Sequence, residues 1–180
     1  ALQYPDASFN TVDQSICETD CIVFDNQSTS GTSYQWIFQG GTPSSSTASA
    51  PGAICYSTAG AYDVTLITTN ALGSDTMTQL AYLNVGASPG VFSVVQMGDS
   101  LIAPQGYNSY QWYYNNVIIS GATSYFYVAT QDGDYGVVVG NANGCQSGVN
   151  VPNVIIGVND ISLSNAISIY PNPSTGSFEI

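Results

Sequence analysis

"SYQWIFQGG" (Ser33–Gly41) and "SYQWYYNN" (Ser109–Asn116) share one tetrapeptide and hold both tryptophans of this 180-residue chain. The echo continues downstream. "GAYDV" (Gly60–Val64) is matched by "GDYGV" (Gly133–Val137), and "NALG" (Asn70–Gly73) by "NANG" (Asn141–Gly144). From Trp to Tyr the spacing is 26 residues in the first copy (Trp36 to Tyr62) and 23 in the second (Trp112 to Tyr135). Landmarks kept in order while the loops between them change length mark one unit used twice in tandem.

Around these landmarks the chain runs in short alternating stretches such as "CIVFD", "YDVTLIT" and "YGVVVG", separated by Gly, Asn, Asp, Ser and Pro, and helical periodicity is nearly absent. A period of two puts Tyr34, Trp36 and Phe38 on one face, and Tyr62, Val64 and Leu66 on another. A buried Trp on a central strand, opposed by a Tyr near the start of a later strand, is the pattern of an immunoglobulin-like sandwich. Tyr62 and Tyr135 are the candidates for the tyrosine that bonds back to the chain upstream. The fold expected is all-β: two tandem immunoglobulin-like β-sandwiches over residues 1–86 and 87–158, joined at "GASPG" (Gly86–Gly90), and a short C-terminal β segment over residues 159–180.

The chain contains no Lys, Arg or His against twelve Asp and Glu, a formal net charge of −12. Without cations it cannot neutralise phosphates or release their counterions, which excludes nucleic acid and anionic lipid as electrostatic partners. Its surface must be covered by Ser, Thr, Asn, Gln, Gly and Tyr, and it offers no cleavage point to proteases that need a basic residue. The best apolar run, "VIIGV" (Val154–Val158), is far shorter than the ~20 residues that span a bilayer. No basic region followed by an apolar stretch opens the chain at Ala1, so a secreted protein is expected to have lost its signal peptide already.

The stretch from "CIVFDNQSTS" through "TTNALGSDT" resembles a PKD domain of secreted Bacteroidota proteins over residues 5–85. It departs at Gln39, where the family often has Gly or Pro in "WxFGGG" or "WxFGDG". Residues 90–158 resemble a bacterial Ig-like module through "SYQWYYNNVIISG" and "QDGDYGVVVGNANGC". "ISIYPNPSTGSFEI" (Ile167–Ile180) resembles the opening of a type IX secretion sorting domain. These resemblances imply export to the cell surface or medium, with the type IX secretion machinery as a partner.

Four cysteines in an exported chain favour disulfides, with three pairings open. If Ile22 and Phe24 face the core, Cys21 points outward; if Ile54 and Tyr56 do, so does Cys55. On neighbouring strands these two form the preferred bridge. Cys17 is the rival for Cys55, and Cys17 with Cys21 is a further option. Relatives of the Ig-like module often carry, at Gln96, the cysteine that pairs with the one at Cys145; Cys145 is therefore expected to be free or joined to another chain.

The familiar nucleophile-activating sets cannot be built without His or Lys, and three first-half cysteines without His lack zinc-site spacing. Asp132 and Asp134 flank Gly133 as a carboxylate pair that could serve glycoside hydrolysis or a weak calcium site. Turn chemistry explains them as well. Tyr113, Tyr125 and Tyr127 are candidate ligand contacts, as rigid contact area or a stacking platform for sugar. "DTM" (Asp75–Met77) and "DSL" (Asp99–Leu101) resemble the short O-glycan acceptor pattern of the same phylum, at Thr76 and Ser100. The expected function is that of a non-enzymatic extracellular structural protein of a filament, stalk or appendage that self-associates or joins other surface proteins. The alternatives are a spacer or carbohydrate-binding module of a larger hydrolase and a monomeric adhesin.

Overall fold

A computed structural model describes residues 3–157, and these contain strands and turns without a helix. The sorting-domain segment expected at residues 159–180 lies outside the described residues. The first half comprises β1 (Phe9–Asn10), β2 (Ser15–Cys17), β3 (Cys21–Val23), β4 (Asp25–Asn26), β5 (Ser33–Phe38), β6 (Ser45–Ser46), β7 (Ala53–Cys55), β8 (Gly60–Asn70) and β9 (Gly73–Gly86). The second comprises β10 (Val95–Met97), β11 (Ser100–Ile102), β12 (Ser109–Tyr114), β13 (Val117–Ile118), β14 (Phe126–Val128), β15 (Gly133–Gly140) and β16 (Gln146–Val154).

In the first half a five-stranded sheet, ordered β2-β9-β8-β5-β6, faces the small pairs β3-β7 and β1-β4. In the second a four-stranded sheet, β13-β12-β15-β16, faces the three-stranded β10-β11-β14. Each closes on its own core: Phe9, Phe24, Trp36, Phe38, Ile54 and Leu66 fill the first, and Leu101, Trp112, Tyr135, Val137 and Val139 the second. The chain is thus all-β, with two immunoglobulin-like sandwiches in tandem.

The repeated landmarks do the same job twice. Both tryptophans are fully buried, and each indole N–H donates to a carbonyl 12 residues ahead: Trp36 to Ala48 at 3.0 Å, Trp112 to Ser124 at 2.8 Å. A buried indole needs that acceptor, because its N–H leaves water on folding. Tyr62 and Tyr135 each donate their hydroxyl to the carbonyl four residues upstream, Thr58 at 2.7 Å and Gln131 at 3.0 Å, closing the corner that precedes the strand. In "NALG" and "NANG" the side-chain oxygens of Asn70 and Asn141 accept from the amide two residues on, making an Asx turn that reverses the chain. The register also matches, with Trp36 opposite Leu66 and Trp112 opposite Val137.

Both long hairpins carry a bulge. The bulged strands place Ala81 (φ 49°) and Asn153 (φ 56°) in the left-handed region, a conformation that L-residues avoid. A carboxylate holds each of them there. The Ala81 N–H donates to Asp63 Oδ1 at 2.7 Å and the Asn153 N–H to Asp134 Oδ1 at 2.9 Å.

Two buried hydroxyls in the first core, Tyr56 and Thr68, have no partner. Leaving a buried donor unpaired costs about 1–3 kcal/mol, so Thr68→Val should raise stability by roughly 1 kcal/mol, read from the urea midpoint. Burial, with a smaller contribution from Tyr62, pushes the Tyr56 phenol up to about 12. In the unfolded chain it ionises near its usual value of about 10. The folded protein therefore keeps this contribution below about pH 10 and loses it as the pH rises through about 12. Tyr56→Phe should flatten the stability profile in that window, measured by denaturant titrations from pH 9 to 12.

Candidate functional site

The segment joining the two sandwiches is gripped from both sides. At the end of β9, Asn84, Val85 and Gly86 run parallel to Ser15, Ile16 and Cys17 of β2, and the Glu18 N–H donates to the Gly86 carbonyl at 3.0 Å. The Glu18 carboxylate spans the junction, accepting from Ala59 N–H and from Ser88 N–H, each at 3.0 Å. From the other side, the Asn141 amide donates to the Ala87 carbonyl at 2.6 Å and the Ser147 hydroxyl to the Pro89 carbonyl. Cys145 lies against Gly86, where an added Cβ would meet its sulfur at 3.1 Å, tighter than ordinary contact.

All four cysteines are in disulfides. Cys21 opposes Cys55 across β3 and β7 and is bonded to it. Cys145 departs from expectation: it is neither free nor available to another chain, but bonded to Cys17 across 128 residues of sequence, with the two Cα atoms 5.6 Å apart. Cys17 accordingly does not compete for Cys55. The cause is geometric. The Asx turn at Asn141 carries Cys145 back over the linker, and the β2–β9 pairing carries Cys17 to the same point from the first sandwich.

The other anticipated residues divide. Asp132 and Asp134 are not a convergent pair: Asp132 Oδ1 accepts from Ile156 N–H at 2.9 Å and Asp134 Oδ1 from Asn153 N–H. Among the described residues no group of three or more His, Cys, Asp or Glu could hold a metal. Tyr127 is half-buried, its ring packed between Trp112 and Tyr135 with centroids at 6.1 and 5.8 Å. Tyr125 is exposed and packs edge-on against Phe126. Tyr113 is half-buried on the outer face of the four-stranded sheet, where it borders a shallow depression with Asn116, Gly136, Gly148 and Asn150. Thr76 is exposed on β9, while Ser100 is half-buried on β11. The aspartates preceding them are structural, Asp75 accepting from Ala7 N–H and Asp99 from Gly157 N–H, both at 2.7 Å.

The sequence reading missed Glu18, Asn141 and Ser147, whose partners are linker backbone atoms that no local pattern reveals. It also missed Gly136 and Gly148. Their signal was present, because alternation in "GDYGVVVG" and "SGVNV" puts both glycines on the side opposite the core residues.

The PKD domain family matches residues 3–85, which run from the first described residue to the last but one of β9. Among solved structures the chain is similar to a carbohydrate-binding module of the β-sandwich superfamily studied for promiscuous specificity, at 18% identity over 77% of this chain and 55% of that one, with a TM-score of 0.42. It is similar also to an I-band fragment of titin, at 13% identity over 84% of this chain and 66% of that one (TM-score 0.37). Titin domains in complex with telethonin match at 14% identity over 84% of this chain and 96% of theirs (TM-score 0.34). The chain thus spans less than two thirds of the first two of these. Among curated proteins, none matches the chain.

Cutting the Cys17–Cys145 link should cost about 4–5 kcal/mol, the chain-entropy value for a loop of roughly a hundred residues. The Cys17→Ser/Cys145→Ser protein should therefore unfold at a clearly lower guanidinium concentration than the parent, with near-UV circular dichroism unchanged before the transition.

Proposed function

We propose that this chain is a rigid, non-catalytic structural element of an extracellular or cell-surface assembly, in which two sandwich domains meeting at Gly86–Gly90 are held in one fixed relation. The observation that carries the reading is the Cys17–Cys145 disulfide laid across the linker. A tandem array whose only task is to tether needs no such link, because a flexible linker tethers as well. Bonding the two units and hydrogen-bonding the linker from both sides removes the relative motion that is otherwise the default between domains.

Further support comes from chemistry. Two disulfides suit an oxidising compartment. Without His, Lys or Arg the chain has no cation to activate a nucleophile or clamp a phosphate, and the Asp132 and Asp134 carboxylates already bind backbone amides. The likeness of "ISIYPNPSTGSFEI" to a type IX sorting signal favours export by that route. With Cys145 engaged inside the chain, assembly into a filament, stalk or appendage would run through sheet surfaces and not through an interchain thiol. Charged residues are only 7% of the chain, so contacts on its polar faces leave few charges to desolvate, and Thr76 is an accessible acceptor for an O-glycan.

Single-molecule energy transfer tests this directly, with dyes on unnatural amino acids at the exposed positions Gln35 and Thr130. The parent should give one narrow distance distribution that broadens in the Cys17→Ser/Cys145→Ser protein. A parent distribution as broad as that of the variant would remove the basis for the reading.

A further inference from the structure

The outer faces of the two large sheets can be compared position by position, because the shared register fixes the equivalence. With Trp36 opposite Leu66 and Trp112 opposite Val137, Thr65 corresponds to Gly136, Ile37 to Tyr113, and Ile67 to Val138. Across the next strand, Thr78 corresponds to Asn150 and Thr76 to Gly148. In the first sandwich this face is filled, and the Thr65 and Thr78 hydroxyls bond each other at 3.0 Å. In the second, two of the threonines have become glycine and an isoleucine has become tyrosine.

Backbone conformation does not call for these glycines. Neither Gly136 nor Gly148 is among the residues with positive φ, and the threonines at the same places show that the framework accepts a side chain. What limits the space over them is chiefly outward-facing side chains, which approach more tightly than ordinary contact. A Cβ on Gly136 would first meet the terminal amide oxygen of Asn150 at 3.1 Å, and one on Gly148 a Val138 methyl at 3.3 Å. Gly140 differs, since a Cβ there would run into the Ser109 hydroxyl. Glycine inside a strand weakens a sheet and marks places where a ligand or another backbone comes close. Here two of them open a depression of about 240 Å³.

From this we infer that the depression over Gly136 and Gly148 is a binding site for a neutral saccharide. Its lining is one phenol ring, the carboxamides of Asn116 and Asn150, and a sheet floor in which Gly148 is exposed and Gly136 is buried beneath its neighbours, with no ionisable acid or base beyond the phenol. Neighbouring amides are committed elsewhere: Gln111 donates to the Trp112 and Ile119 carbonyls, and Asn115 pairs with Asp134. Carboxamides both donate and accept, which suits hydroxyl groups, and the Tyr113 ring offers an apolar face beside a polar tip, which suits a pyranose. A ligand bearing carboxylate, sulfate or phosphate would find no cation and would meet a chain of net charge −12. A second copy of this chain would bring the same charge.

The test is affinity electrophoresis of the full chain through native gels holding mixed-linkage β-glucan, glucomannan, neutral arabinoxylan or starch, with alginate as the anionic control. The parent should be retarded in at least one neutral gel and not in alginate. Tyr113→Ala should weaken retardation at least about tenfold, the usual consequence of truncating an aromatic anchor, while Tyr113→Phe, which keeps the ring, should stay within about threefold. Gly148→Val, which fills the floor, should match Tyr113→Ala. Near-UV circular dichroism establishes that each variant is folded, and an unchanged interdomain distance distribution separates this result from the rigidity of the junction. Passage through every neutral gel without retardation overturns the inference, as does retardation indifferent to both Tyr113→Ala and Gly148→Val. Concentration-dependent sedimentation abolished by Tyr113→Ala also overturns it, and would assign the face to a second copy.

Discussion

A folded chain without a single cationic side chain must find other partners for its carboxylates, and here the partner is the backbone. Of the ten acids among residues 3–157, seven accept a main-chain N–H: Glu18, Asp20, Asp63, Asp75, Asp99, Asp132 and Asp134. Each bond lies where the ladder is interrupted, at a bulge, a turn, a strand end or the linker. An ionised acceptor makes a stronger hydrogen bond to an amide than a neutral one does, and the amides at such breaks have no strand partner. The charge that looks anomalous in composition is therefore spread over the places where a β-sandwich has donors to satisfy. It also explains why Asp132 and Asp134, on either side of Gly133, do not act as a pair, since Asp134 holds Asn153 at the bulge of β16 and Asp132 holds Ile156 just beyond that strand.

The same economy governs the junction. Glu18 reaches the loop before β8 with one oxygen and the linker with the other, so a single side chain fixes both the end of the first sandwich and the exit from it. The Cys17–Cys145 bond then closes what the hydrogen bonds align. Between two surfaces that carry only like charge, salt bridges are unavailable and mutual repulsion opposes close approach. A covalent link is a means of holding them together that salt does not screen.

How much of this was legible follows from where each signal resides. Trp36, Trp112, Tyr62 and Tyr135 could be placed because their partners lie a fixed number of residues away on the same chain segment, so the repeated spacing carried the geometry with it. Cys21 and Cys55 were accessible through alternation, both standing on the outward side of strands whose inward residues are apolar. Cys145 was misread because its partner is set by how one sandwich abuts the other, and neither periodicity nor a family pattern within one sandwich encodes that. The packing of Tyr127 against Trp112 was not legible for a related reason: alternation assigns a residue to a side of its strand but does not say which side faces a neighbouring sheet when the strand is only three residues long. At the candidate site, Tyr113 was visible as an outward aromatic, whereas the glycines beside it were invisible as long as glycine was treated as punctuation.

Duplication makes the distinction between framework and function sharper than one domain could. Inward positions of the two copies stay large and apolar, because each core must be filled to close packing: Leu66 answers to Val137, Trp36 to Trp112. Outward positions have no such obligation, and a sheet face with no task drifts toward the β-formers that stabilise it, as the threonines of the first sandwich illustrate. The second sandwich does the reverse. It puts at Gly136 and Gly148 the residue that stabilises a strand least, beside the tyrosine at Tyr113. A loss of sheet stability confined to one face, in the copy that also brings Cys145 to the junction, fits a division in which the first sandwich and the disulfide set direction and the open face of the second makes contact.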